Sequence, residues 1–200
     1  MDHIEELSRA LARFPGIGPR QGKRFVFYLL AAPADERKRL AELISSLGTD
    51  VRQCTECLRF YNGSNSSVCN YCSDKTRDDA QLMIVEKDQD LAAIERAGTY
   101  RGRYFVLGGV LTLTGKGAIR EKELVKAIEK RLKGKLEEIV LALSATSEGE
   151  HTADHLRQML SPYRDHLKIS QLGRGLSTGS ELEYSDADTL RAALSNRKET

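Results

Sequence analysis

Two Cys-x-x-Cys pairs, Cys54-Thr-Glu-Cys57 and Cys69-Asn-Tyr-Cys72, are separated by eleven residues and hold every cysteine of the chain. Each pair turns tightly enough to offer two thiolates. Four thiolates complete zinc's tetrahedron and leave no position open for water, so the pattern describes a structural site and not a catalytic one. The stretch around them, with its polar loop "YNGSNSS", is too poor in apolar residues to fold unaided, and metal binding has to stabilise it. Two disulfides or four free thiols are the alternatives. A reducing cytoplasm disfavours the first, and free cysteines have no reason to recur at this spacing. The cofactor expected is one structural Zn2+ per chain.

The chain's 200 residues allow a sizeable core, in one large domain or in two to three small ones. "LMIV", "FVLGGVL" and "IVLAL" are too short to cross a bilayer, and "MDHIEEL" lacks the apolar run of a secretory signal. A cytoplasmic protein without membrane contact is expected. The formal net charge is only +2, so any argument for nucleic acid rests on where the charges sit.

Ile4, Leu7, Leu11 and Phe14 recur at helical spacing and predict a helix over residues 2–13. "FPGIGP" at 14–19 breaks it, and a second helix runs from Arg20 to Leu30. Pro33 and Asp35 open a third, with Leu40, Leu43, Ile44 and Leu47 on one face and Gly48 at its close. After the cysteines, short apolar runs alternate with helical ones: "LMIVE", "DQDLAAIERAG", "YFVLGG", "EKELVKAIEKRL", "EEIVLALS", "HTADHLRQML", "LKISQLG". That alternation predicts a mainly parallel sheet with helices on its faces. "ELEYSDADTLRAALSN" closes the chain as a short strand and a capped helix. The fold class is therefore mixed α/β and multi-domain.

The proline-glycine turn between the first two helices resembles a helix-hairpin-helix. Glycines let a backbone approach a phosphate, and the helix that follows offers free N–H groups to it. From Arg9 to Arg24 there are five basic residues and no acidic one, and Arg20, Lys23 and Arg24 share the first turns of the second helix. Sequence-independent, salt-sensitive DNA phosphate binding is the expected use. An ordinary helical turn with solvated arginines is the alternative.

Glu86 ends the first parallel strand, and Ser144, Thr146, Glu148 and Glu150 follow a later one. Ligand sites of open α/β sheets lie at such strand ends. Here the chain resembles the Toprim domain of topoisomerases and primases, which pairs an early strand-end glutamate with a later Asp-x-Asp. Glu86 matches the first, and Glu148-Gly149-Glu150 matches a Glu-Gly-Glu found in type IA topoisomerases. The Asp-x-Asp positions fall on Ser144 and Thr146, neutral hydroxyls that replace ionised ligands poorly. The five residues are expected to form a degenerate acidic site or a partner contact.

The order "FPGIGP" with Arg20 and Arg24, four cysteines, Glu86, "RGRYFVLGG", "TSEGEHTADHL" and "GRGLSTGSELEYSDADTL" resembles the RecR family of bacterial recombination mediators over essentially the full length. Two stretches depart from it: "VLTLTGKGAI" stands where a Ser-Pro-Leu-Asp-Gly-like turn is usual, and "LALSAT" where Ala-Thr-Asn-Pro-Thr is. The resemblance implies a DNA-binding protein without catalysis. It also implies dimers or ring-like tetramers, and work with RecO and RecF to load RecA onto single strands coated by single-strand-binding protein. The organisation expected is 1–52 helix-hairpin-helix for DNA binding and oligomerisation, 53–77 zinc finger, 78–173 Toprim domain and 174–200 tail.

Two other readings compete. One is a magnesium-dependent phosphoryl-transfer enzyme built on Glu86, Glu148 and Glu150. The other is a zinc-stapled interaction domain without a DNA role. "GVLTLTGKG" fails as a P-loop, having five residues between Gly109 and Gly115 and glycine at the magnesium-binding hydroxyl position. His151 and His155 have zinc-ligand spacing but lack the glutamate of a zinc protease, and are read as solvated or DNA-facing. The lysine-rich run at 122–135 is read as a solvated helix face.

Overall fold

Strands buried on both sides have no polar face, and the runs "LMIV", "YFV" and "IVLA" read that way. In the computed structural model, which describes residues 2–63 and 66–197, they form three adjacent strands of a four-stranded parallel sheet. The sheet comprises β3 (Asp78–Val85), β4 (Gly102–Val106), β5 (Glu138–Ala142) and β6 (Lys168–Gln171), in the order β4-β3-β5-β6. Leu82 pairs with Arg103 on one side and with Ile139 on the other, which fixes the register.

Alternation along each strand sorts the core into two layers. Leu82, Ile84, Phe105, Ile139 and Leu141 face α6 (Glu121–Leu132) and α7 (Ser147–Met159), meeting Leu124, Ile128 and Leu156. Met83, Val85, Tyr104, Val106 and Ala142 face the opposite way, toward Leu91 of α5 (Asp88–Ala97). The connection after β3 thus runs on one face and the connection after β5 on the other. β3 and β5 are neighbours, so a topological switch point opens beyond their carboxyl ends. Glu86 follows β3 directly, and Ser144 lies two residues beyond β5.

The chain divides into two compact units. One runs to Arg52 and takes in Asn62 and Gly63; the other holds Gln53–Tyr61 and all described residues from Ser66 onward. The sheet unit includes the cysteines, with the short α4 (Asn70–Ser73) between the last two. Strands β1 (Val51–Gln53) and β2 (Phe60–Asn62) form a separate two-stranded sheet. Ser64 and Asn65 of the polar loop lie outside the described residues, as do Met1 and residues 198–200 of the outer segments.

The first unit has three helices, α1 (His3–Leu11), α2 (Pro19–Ala31) and α3 (Ala34–Asp50). Asp2 caps α1 by accepting from the Ile4 and Glu5 amides. α1 packs on α2 at Gly22, where an added Cβ would lie 2.6 Å from the Ser8 carbonyl oxygen. Helix propensity favours alanine over glycine by about 1 kcal/mol, while forced overpacking costs about 1–3 kcal/mol. Gly22→Ala is therefore expected to lower the thermal midpoint. An unchanged or raised midpoint by circular dichroism would contradict the close approach.

Two expectations need correction. Gly48 does not end α3, which continues to Asp50: an exposed glycine with open space around it weakens a helix without stopping it. "ELEY" is no strand. Leu182–Tyr184 forms a single 3-10 turn before α8 (Ala187–Ser195) and pairs with no strand among the described residues.

Candidate functional site

The four cysteine sulfurs converge, every pair within 4.8 Å. Cys54, Cys57 and Cys69 are buried, and Cys72 is half-buried. Cys57 Sγ and Cys69 Sγ are 3.6 Å apart, against the roughly 3.8 Å that tetrahedral Zn–S bonds of about 2.3 Å impose. The Cys69 amide donates to Cys54 Sγ at 3.3 Å, a bond that favours a thiolate. Crowding separates the proton affinities: contact with Cys57 drives the Cys54 thiol far below its ordinary value, and the same contact drives Cys57 far above. The donor set fits a soft tetrahedral cation that displaces those protons.

Buried and partly buried arginines fasten this module to the sheet. Arg103, on the fully buried β4, donates to the Tyr71 and Cys72 carbonyls at 3.0 and 3.1 Å and pairs with Asp79 at 2.7 Å. Arg120 reaches the Leu58 and Val106 carbonyls. Leu58 has φ 61°, a left-handed conformation costing about 1–2 kcal/mol, and Gln53 Nε2 also donates to its carbonyl. Val106 N–H donates to the Cys57 carbonyl at 2.8 Å. Arg77, itself buried, joins Glu95 at 2.6 Å and lies over the Tyr71 ring. Burial opposes ionisation of Glu95, but hydrogen bonds from Arg77 and Tyr104 outweigh it and hold its pKa below the usual carboxylate value.

In the helical unit, Gly16 takes φ 77° in the turn, and Pro19 starts α2. No side chain caps this helix, so its first amides face outward. Arg20, Lys23 and Arg24 are all exposed. Arg20 and Lys23 line a groove of about 330 Å³ with Arg9, Ser8 and Glu5. Glu5 pairs with Lys23 at 3.1 Å and so partly neutralises it. Arg24 lines a second hollow on the flank of α2 with Gln21, Phe25 and Tyr28.

At the switch point Glu86 and Glu150 are already engaged. Glu86 is 5% exposed and accepts the Ser144 N–H at 2.6 Å. Thr146 caps α7 by accepting from Gly149, and a Cβ on Gly149 would lie 2.1 Å from the Ser144 carbonyl oxygen. The glycine of Glu-Gly-Glu is thus required by packing. The Glu148 carbonyl accepts from Thr152. The Glu150 carboxylate takes Arg174 and Gln171. Asp88 accepts the Phe60 amide, and Asp90 caps α5. Among the described residues, the cysteines are the one group of three or more His, Cys, Asp or Glu ligands close enough to hold a metal. Glu86, Glu148 and Glu150 do not form one.

The chain matches the family description "RecR, helix-hairpin-helix" over residues 4–47, "Toprim domain" over 80–173 and "RecR, C-terminal" over 175–198. Its curated relatives include "Recombination protein RecR" of Bifidobacterium longum subsp. infantis, 40% identical over 98% of this chain and 96% of the relative. The protein of that name from Dehalococcoides mccartyi is 35% identical over 98% and 93%, and that from Cutibacterium acnes 36% over 97% and 94%. The chain belongs to the RecR family. Within that RecR frame, sequence reasoning missed Arg77, Arg103, Arg120 and Arg174. For Arg103 a signal existed: a charge in a strand buried at every position demands partners. For Arg174 there was none, since its partner lies 24 residues away on α7.

Proposed function

We propose that this chain is a non-catalytic DNA-binding mediator of recombination and repair, acting in the cytoplasm. The observation that carries the proposal is the exposed basic start of α2, where Arg20, Lys23 and Arg24 follow a proline-glycine turn and an uncapped helix N-terminus. Segment 1–52 binds DNA phosphates and joins subunits. Segment 53–77 holds one structural Zn2+ on Cys54, Cys57, Cys69 and Cys72, which orders the loop and supplies no reaction chemistry. Segment 78–173 is a Toprim domain whose acids serve packing and partner contact, and 174–200 is an appended tail.

Homo-oligomerisation is supported by α3, which buries none of its residues and leaves Leu40, Leu43, Ile44 and Leu47 exposed. Several copies would then surround duplex or gapped DNA as a ring or clamp. RecO and RecF are the partners that family membership suggests, with RecA loading as the outcome. Engagement of Glu86 and Glu150 inside the fold supports the absence of catalysis, because phosphoryl transfer needs several free carboxylates on magnesium.

The zinc-loaded protein is expected to bind a labelled oligonucleotide of arbitrary sequence without magnesium. Each phosphate contact should contribute about −0.9 to the slope of log affinity against log salt on a duplex, and the strand should survive prolonged incubation with magnesium. Salt-independent binding, or a strand cut or extended by homogeneous protein, would overturn the proposal.

A further inference from the structure

We propose that the hollow formed by Gln21, Arg24, Phe25 and Tyr28 is a stacking site for unpaired nucleobases, so that the chain grips single-stranded DNA by base as well as by backbone. This inference rests on the DNA reading above and adds the part of the ligand recognised.

The hollow has a volume of about 460 Å³. Two of its four residues are aromatic and well exposed, Phe25 at 43% and Tyr28 at 61%. Arg20, Arg24 and Tyr28 follow one another at steps of four along α2, so cations and ring share a stripe. Gly22 and Val26 are buried on the helix's other side, which holds the stripe outward. The Tyr28 hydroxyl donates to Glu36 Oε1 at 3.2 Å. That bond tethers the hydroxyl end of the ring to α3, and the side chain as a whole stays exposed. Arg24 lines the hollow and donates to Gln21 Oε1 at 3.4 Å, and the Glu36 carboxylate sits at the tyrosine hydroxyl.

A second copy of the chain is the other candidate occupant, but its chemistry suits a different hollow. That one, about 340 Å³, is lined mainly by aliphatic residues such as Ile4, Leu7, Leu40 and Ile44, with His3 and Arg37 beside them and no Phe or Tyr ring. The hollow on α2 pairs aromatic rings with a cation instead, the combination that accepts a base on a ring and its phosphate on a guanidinium. Duplex DNA keeps its bases stacked on one another, so only an unpaired strand can present one here.

The test uses full-length, zinc-loaded protein with oligothymidylate and a blunt duplex. Phe25→Ala and Tyr28→Ala are each expected to weaken oligothymidylate binding roughly tenfold, and to leave the duplex within about twofold. The chain has no tryptophan, so Tyr28→Trp provides a fluorophore whose emission is quenched by oligothymidylate and not by duplex. Equal losses on both DNAs, or binding without quenching, would overturn the stacking site. So would ring variants that change oligomeric mass and leave DNA affinity intact, an outcome that gives the hollow to a second copy. Failure of the native chain to bind either DNA would overturn the DNA reading itself.

Discussion

Stripping the metal from the four-cysteine module is expected to lower the thermal midpoint of the whole sheet unit, by about 10 °C or more. Structural zinc contributes about 10–16 kcal/mol to the folding of small cysteine modules, while entire domains are stable by only about 5–15 kcal/mol. The loss would not stay local. Arg103 holds the Tyr71 and Cys72 carbonyls from inside β4, Arg120 holds the Leu58 carbonyl, and the Val106 amide holds Cys57. When the knuckles open, the buried Arg103 and the partly buried Arg120 lose acceptors, and each unsatisfied charged donor costs more than a neutral one. A few kcal/mol transmitted to a unit of this size moves the midpoint by about 2–4 °C per kcal/mol. Cys57→Ser should reproduce the effect of a strong chelator, with bound zinc falling in step. A midpoint that ignores both treatments would refute a structural metal.

Much of the fold was legible because local signals and tertiary demands agree. The strands of the sheet could be read from runs such as "LMIV", since a strand covered on both faces is apolar throughout. The start of α2 was legible from Pro19, which suits a first helical position. The cysteine cluster was legible because ligand spacing is a local property. The misreadings share the opposite cause. Gly48 has the look of a helix end, but only its left-handed use stops a helix, and nothing local demands that conformation there. "ELEY" has strand composition, yet a strand exists only where an edge can take it. The arginine hooks on the cysteine module span 31 to 62 residues of sequence, beyond any periodicity. At the switch point the residue types were visible, but their commitments were not: Glu86 turns inward to the Ser144 amide, and Glu150 is taken by Arg174 from the start of the tail.

The central claim is that the exposed start of α2 holds DNA phosphates. Among the described residues neither Arg20 nor Arg24 has an ion-pair partner, Arg24 donating only to the neutral Gln21, while Lys23 is shared with Glu5. Reversing both arginines replaces two attractive contacts with two repulsive ones, on a chain whose formal net charge is only +2. Affinity should fall roughly a hundredfold or more, with a shallower salt dependence. Both side chains are solvent-exposed, so folding should be unaffected. Lys23→Ala should cost less, because that ammonium already has a carboxylate partner. The decisive measurement is the equilibrium affinity of the Arg20→Glu, Arg24→Glu double variant for a labelled oligonucleotide, beside its thermal midpoint. The account predicts binding lost and midpoint kept; undiminished affinity in a folded variant would contradict it.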